Sequence, residues 1–285
     1  MSTHVQPHPG PRRHHQPPVQ PSSGAGAISR EEGSFWHRMQ VRLERLGALM
    51  VMTGKVLTRA VSPPYAPSAL VYQVEALGVR SLPIALLTST FAGLVISLQF
   101  GFFLARFGVQ YTVGRVVVLT LFRELAPVLI ALTVGARVGS GIAAEIGSMT
   151  VTEQVDAIRA LGADPLRKLV VPRVLACFIL MPALTVLADV IGMVAGALVV
   201  KAQYGISFNL FFQGALAVVF MSDFISGVIK GFVFGGIVGV VGCFKGLTVE
   251  GGTEGVGRAT TQTVAITSVS VCLADFFITK LTLYF

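Results

Sequence analysis

The sequence predicts an all-α polytopic membrane protein, five transmembrane helices preceded by an amphipathic helix at the membrane interface. Three observations carry that prediction. Hydrophobic residues make up 53% of the 285-residue chain and charged residues only 13%, against roughly a quarter charged in soluble domains. Apolar stretches recur at 82–105, 116–136, 174–200, 223–243 and 264–283, each near the ~20 residues needed to cross hydrocarbon. Ahead of them, Phe35, Met39, Leu43, Leu46, Met50 and Leu57 fall on one helical face of segment 34–61, and Arg38, Arg42, Arg45 and Arg59 on another. A helix lying in the headgroup layer has that pattern.

In chain order, residues 1–33 are rich in Pro, His, Gln and Ser and cannot bury a core, so a disordered tail is expected. His4, His8, His14 and His15 lie in it, without the fixed geometry a metal site needs. No apolar stretch there has the make-up of a signal peptide. Ser62-Pro63-Pro64 ends the interfacial helix. Segment 208–221 is also apolar but would make an overlong span with 223–243; Ser222-Asp223 reads as a helix start, so 208–221 is expected as a separate half-buried surface helix. Cys177, Cys243 and Cys272 fall in apolar segments without metal-type spacing and are expected as small core residues rather than disulfides. The Gly135/Gly139, Gly192/Gly196 and Gly231/Gly235/Gly239 spacings suit close helix contact, inside one subunit or between two.

The net charge of +8 does not point to nucleic acid, because no basic cluster is interleaved with aromatics. Loop charge instead sets orientation. Arg137, Arg159, Arg167, Lys168 and Arg173 crowd the second loop, and Lys245 and Arg258 the fourth; the first carries only Arg106 and Arg115, the third only Lys201. The positive-inside rule makes the N-terminus and the second and fourth loops cytoplasmic and the C-terminus exterior.

The second loop has helix signals of its own. Thr150 and Glu153 have capping-box spacing. Val155, Ile158 and Leu161 form a stripe, Gly162 fits the position after a helix end, and Asp164-Pro165 suits a restart. Within the second span, Arg123 and Glu124 each cost roughly 2.5–3.5 kcal/mol on insertion scales. As neighbours ~100° apart on a helix they cannot share a face. They either pair with Asp189, Lys230 or Asp275 on other spans or line a cavity for a charged headgroup.

Several strings in order resemble the MlaE/YrbE permeases, the membrane subunits of ABC transporters that work with MCE proteins. They are Arg123-Glu124-Leu125-Ala126-Pro127, Ala136-Arg137-Val138-Gly139, Glu145 to Met149, Thr152-Glu153-Gln154 with Asp156-Ala157, Asp164-Pro165, Val171-Pro172-Arg173 and Gly257 to Thr261. The resemblance extends over 35–285. It implies a permease moving phospholipid or a related lipid between a bacterial inner membrane and an MCE-domain partner, as a homodimer with separate ABC ATPase subunits. It also implies a lipid pocket at Ile96, Leu98, Gln99, Phe103, Leu104 and Phe107 beside Arg123 and Glu124. Glu145, Met149, Thr152, Glu153, Gln154, Asp156 and Arg159 would form the ATPase-coupling region, in a cytoplasmic coupling helix near 150–168.

ATP is expected on the partner subunits, with no cofactor in this chain. Gly54-Lys55 is followed by Val56 and lacks the upstream glycine of a phosphate-binding loop. No catalytic set or metal-ligand set stands out, and the chain is not expected to be an enzyme. The competing expectation is an ion- or proton-coupled carrier using Asp189, Glu124 and Lys230, against which the sequence has no inverted repeat.

Overall fold

The computed structural model describes residues 26–61, 67–217 and 221–284. The expected tail disorder, its histidines and the Ser62-Pro63-Pro64 stop lie outside the described residues. So do the side chains of Phe35, Arg38, Arg42 and Arg45. The chain divides into two compact units, Met1–Gly47 and Ala48–Phe285. In the first, the described residues are the leading part of a helix, α1 (Gly26–Val61), which starts earlier than the expected 34. All that follows belongs to the second.

Among the described residues every regular element is helical: α2 (Pro67–Gly78), α3 (Leu82–Arg106), α4 (Val113–Thr120), α5 (Ala126–Val151), α6 (Gln154–Ala160), α7 (Val171–Tyr204), α8 (Phe208–Leu216), α9 (Met221–Leu247) and α10 (Gly252–Tyr284). Five stretches are long and apolar enough to span a membrane: Pro67–Arg106, Gln110–Val151, Leu166–Tyr204, Met221–Leu247 and Gly252–Thr282. These are the five expected spans, extended at their ends. The surface helix before the fourth is α8, capped by Ser207, whose Oγ accepts from the Leu210 N–H at 3.3 Å.

The spans pack in the order α3, α7, α9, α5, α10, with α7, α9 and α5 each held between two others. Small residues let them approach. A Cβ on Gly93 would run into the Gly192 carbonyl, and one on Gly231 would meet Pro182 Cα at 2.8 Å. The expected glycine pairs therefore pack within one chain. The last turns of α1 dock on this bundle through Met52 and Val56, while Met50 and Leu57 of the expected apolar stripe stay exposed. That leaves the stripe free to face lipid. Cys177 and Cys243 are buried as expected, but Cys272 is exposed, because α10 covers only one face of the bundle.

Two π-helical turns interrupt the spans, Leu121–Leu125 and Leu166–Val170. Both are followed by a residue and then a proline, Ala126-Pro127 and Val171-Pro172. A proline ring clashes with the carbonyl four residues back and cannot donate to it, and a widened turn relieves the clash.

Candidate functional site

The first π turn carries Arg123 and Glu124 and aims both at other spans. Pro127 has no N–H for the carbonyl of Arg123, and Lys230 of α9 takes that acceptor, donating from Nζ at 2.9 Å. The same ammonium lies 2.6 Å from Glu124 Oε2 and 2.8 Å from Asp275 Oδ1 of α10, and donates to Thr279 Oγ1 at 2.7 Å. Thr279 Oγ1 in turn donates to Glu124. Arg123 points towards the start of α9, with Nε 3.5 Å from Asp223 Oδ1.

Three helical segments are thus joined by three carboxyls and two cations, from the first turn of α9 at Asp223 to Lys230 two turns further on. Lys230 is fully buried, whereas the Glu124 side chain is 38% exposed. The cluster is closed on its lysine and open on its glutamate. Of the two possibilities for Arg123 and Glu124, pairing across spans is present: Glu124 pairs with Lys230, as anticipated, and Arg123 with Asp223, while Asp275 shares the lysine and Asp189 takes no part. Asp189 is buried, and its Oδ1 has no hydrogen-bond partner.

Sequence reasoning missed Asp223, which it used only as a helix-start residue, and Thr279. Thr279 had a signal in its depth, facing the bundle within the last span where a polar group needs a partner; Asp223, in the first turn of α9, had none beyond its local role.

The six expected pocket residues, five on α3 and Phe107 just past its end, do not meet this cluster within one chain. Ile96 and Leu104 pack against the buried group around Val117, Leu121 and Phe211. Leu98, Gln99, Phe103 and Phe107 are exposed on the outside of the bundle. The ion pair and hydrogen bonds of the Glu124 carboxylate run instead to α9 and α10.

The joint after the second span differs from the expected capping box. α5 runs unbroken to Val151, so Thr150 is helical and not a cap; its Oγ1 donates to the carbonyls of Ile146 and Gly246, tying α5 to the end of α9. Glu145 and Met149 therefore belong to the span helix itself, not to a separate coupling helix. Glu153 adopts φ 58°, the only non-glycine left-handed residue among those described, and sits at the cap of α6 without a side-chain hydrogen bond.

The stop after α6 is as expected. Gly162 (φ +77°) donates to Arg159 and Ala163 to Ile158, pairing the last carbonyls. The Asp164 carboxylate then accepts from the Leu166 N–H at 3.0 Å, restarting the helix. Val155 is buried and Ile158 half-buried, but Leu161 is 86% exposed, so the predicted stripe stops short of its last residue. Thr152, Glu153, Gln154, Asp156 and Arg159 form one exposed surface, with Asp156 and Arg159 paired at 2.8 Å. Glu145 bonds Arg173 at 2.6 Å, fixing α5 to α7 beside the joint.

Strings far apart in the sequence converge at this end. Arg137, Glu145, Thr260 and Thr261, with Tyr72 and Arg80, line a groove of about 1130 Å³. Arg137 is held there by the Arg80 carbonyl and Ser81 Oγ.

A five-span helical bundle with a charge cluster across its spans and an exposed helical joint at one end is a multi-pass membrane protein of permease type. Comparison with known proteins gives the family. Residues 70–281 match the family described as Permease MlaE, and the chain belongs to it. It is 39% identical over 240 residues to a probable ABC transporter permease protein of Rickettsia typhi, covering 84% of this chain and 92% of that one. A probable ABC transporter permease protein of Synechocystis is 37% identical over 245 residues, covering 86% and 93%. The Arabidopsis thaliana protein trigalactosyldiacylglycerol 1, chloroplastic, is 39% identical over 230 residues, which are 81% of this chain and 66% of the plant protein.

Proposed function

We propose that this permease is the membrane half of an ABC lipid transporter, acting as a homodimer with two separate ATPase subunits that bind the ATP. Its substrate is a phospholipid or related lipid, exchanged with an MCE-domain partner outside a bacterial inner membrane. The N-terminus and the α5–α6 joint face the cytoplasm. The observation that carries this reading is the cluster at the first π turn: charge placed within the spans, sealed at Lys230 and open at Glu124. Such an arrangement suits a charged headgroup next to apolar chains better than a bare ion. Arg123 offers its remaining donors to a phosphate, and Glu124 suits a cationic headgroup or orients Arg123 from the partner subunit. In a dimer, the exposed Leu98, Gln99, Phe103 and Phe107 line the acyl path, with Ile96 and Leu104 behind them. The name of the Arabidopsis relative, which contains a diacylglycerol lipid, supports a lipid cargo.

The joint supplies the coupling. Thr152, Glu153, Gln154, Asp156 and Arg159 present a polar surface to an ATPase, with Glu145 and Met149 on the helix behind it. α5 continues from there towards the cluster as one helix of 26 residues, ~39 Å at 1.5 Å per residue. Displacing the joint moves the far end of a rigid rod. A carrier relay through Asp189 is not favoured, because no ion pair joins it to Glu124 or Lys230 among the described residues.

The test is mass spectrometry of lipid retained by the purified complex. Arg123→Ala and Glu124→Gln should each lower retained lipid while the dimer persists. Undiminished lipid with lost dimerisation would make the cluster a structural clamp and remove the headgroup assignment.

A further inference from the structure

A second cleft, of about 490 Å³, lies where the end of α1, the start of α2 and the turn into α7 meet. Its volume falls in the range of small-molecule sites, about 300–1,000 Å³. Arg59, Arg167 and Lys168 line it against one acid, Asp164, while Leu70 and Leu175 form part of an apolar wall. Asp164 holds Arg59 through Nε at 2.7 Å. Arg59 Nη1 is covered yet has no hydrogen-bond partner. A buried donor without an acceptor costs about 1–3 kcal/mol, so the guanidinium has a standing preference for an incoming anionic oxygen. The cleft also sits at the starts of two of the apolar stretches, Pro67–Arg106 and Leu166–Tyr204.

We propose that this cleft is a binding site for the phosphate headgroup of an anionic glycerophospholipid, with the acyl chains against Leu70 and Leu175. Basic pockets between span ends capture such headgroups by charge. The site is separate from the cluster around Lys230 and does not depend on what that cluster transports. Its occupant bridges α1, α2 and the Asp164 turn that follows α6, so lipid composition would stiffen the segment leading out of the joint.

The test places a tryptophan on the apolar wall, Leu70→Trp, in a Trp36→Phe background, since Trp36 is the single tryptophan of the chain. The full-length protein is put in nanodiscs, and brominated phosphatidylglycerol is compared with brominated phosphatidylcholine at equal mole fraction. Phosphatidylglycerol should quench more strongly, and Lys168→Gln with Arg167→Gln should weaken its apparent affinity about fivefold per basic side chain removed. Soluble glycerol phosphate should not relieve the quenching.

Equal quenching by the two lipids overturns the proposal, as does a preference that survives both substitutions. Relief by glycerol phosphate would reassign the cleft to a free phosphate ester. Should the paired variant fail to fold, the comparison of lipids on the native charges decides alone.

Discussion

Lys230 is a fully buried ammonium with three protons and four oxygen neighbours. Its removal leaves Glu124 and Asp275 facing each other across a membrane-embedded contact. Breaking a buried pair by deleting one partner typically costs about 3–5 kcal/mol. Lys230→Met should therefore lower the melting temperature of the purified protein sharply, and adding Glu124→Gln should recover part of the loss. An unchanged melting temperature in the single variant would mean that the cluster contributes nothing to the fold. Glu124, Lys230 and Asp275 were legible in the sequence because charges inside apolar stretches are rare and need an explanation. Asp223 and Thr279 were not. An acid at a helix start and a threonine in a helix both have ordinary local roles that hide a long-range one.

At the scale of elements, the joint between α5 and α6 rests on Glu153 in a left-handed conformation. For a residue with a Cβ that conformation costs about 1–2 kcal/mol, and a branched side chain suits it least. Glu153→Gly should leave the joint intact, whereas Glu153→Val should loosen it. Hydrogen exchange over 148–160 should accelerate in the valine variant alone; equal rates in both would show that the backbone there carries no strain. The sequence pointed to the Gly162 stop and the Asp164-Pro165 restart because both are turn chemistry, written in two or three adjacent residues. It misplaced the start. Thr150 and Glu153 have capping-box spacing, but α5 packs against α9 past that point, through the bond from Thr150 to Gly246, and tertiary packing carried the helix beyond its local stop signal.

At the scale of the molecule, the orientation follows from loop charge and has a direct check. In a background lacking exposed Cys272, single cysteines at Thr152 and Ser207, both exposed, are treated with an impermeant thiol reagent on intact cells. Ser207→Cys should label and Thr152→Cys should not. The reverse pattern would invert the protein and move the joint to the outer side.

The membrane class, the five spans and the amphipathic lead helix were determined by the sequence alone, because hydropathy summed over a helix length and helical periodicity are local properties. The family strings were legible for the same reason. Only the tertiary structure decided that Arg123 faces Asp223, that Glu124 shares Lys230 with Asp275 and Thr279, and that Arg137, Glu145 and Thr260 line one groove. Each of these depends on how far a helix is rotated and slid against its neighbour. A step of one residue turns a side chain by ~100°, and the π turn before Pro127 resets that rotation midway through a span. Uniformly apolar spans carry little pattern to fix the angle, so the pairing of their few charges is settled by the packing of the small residues between them.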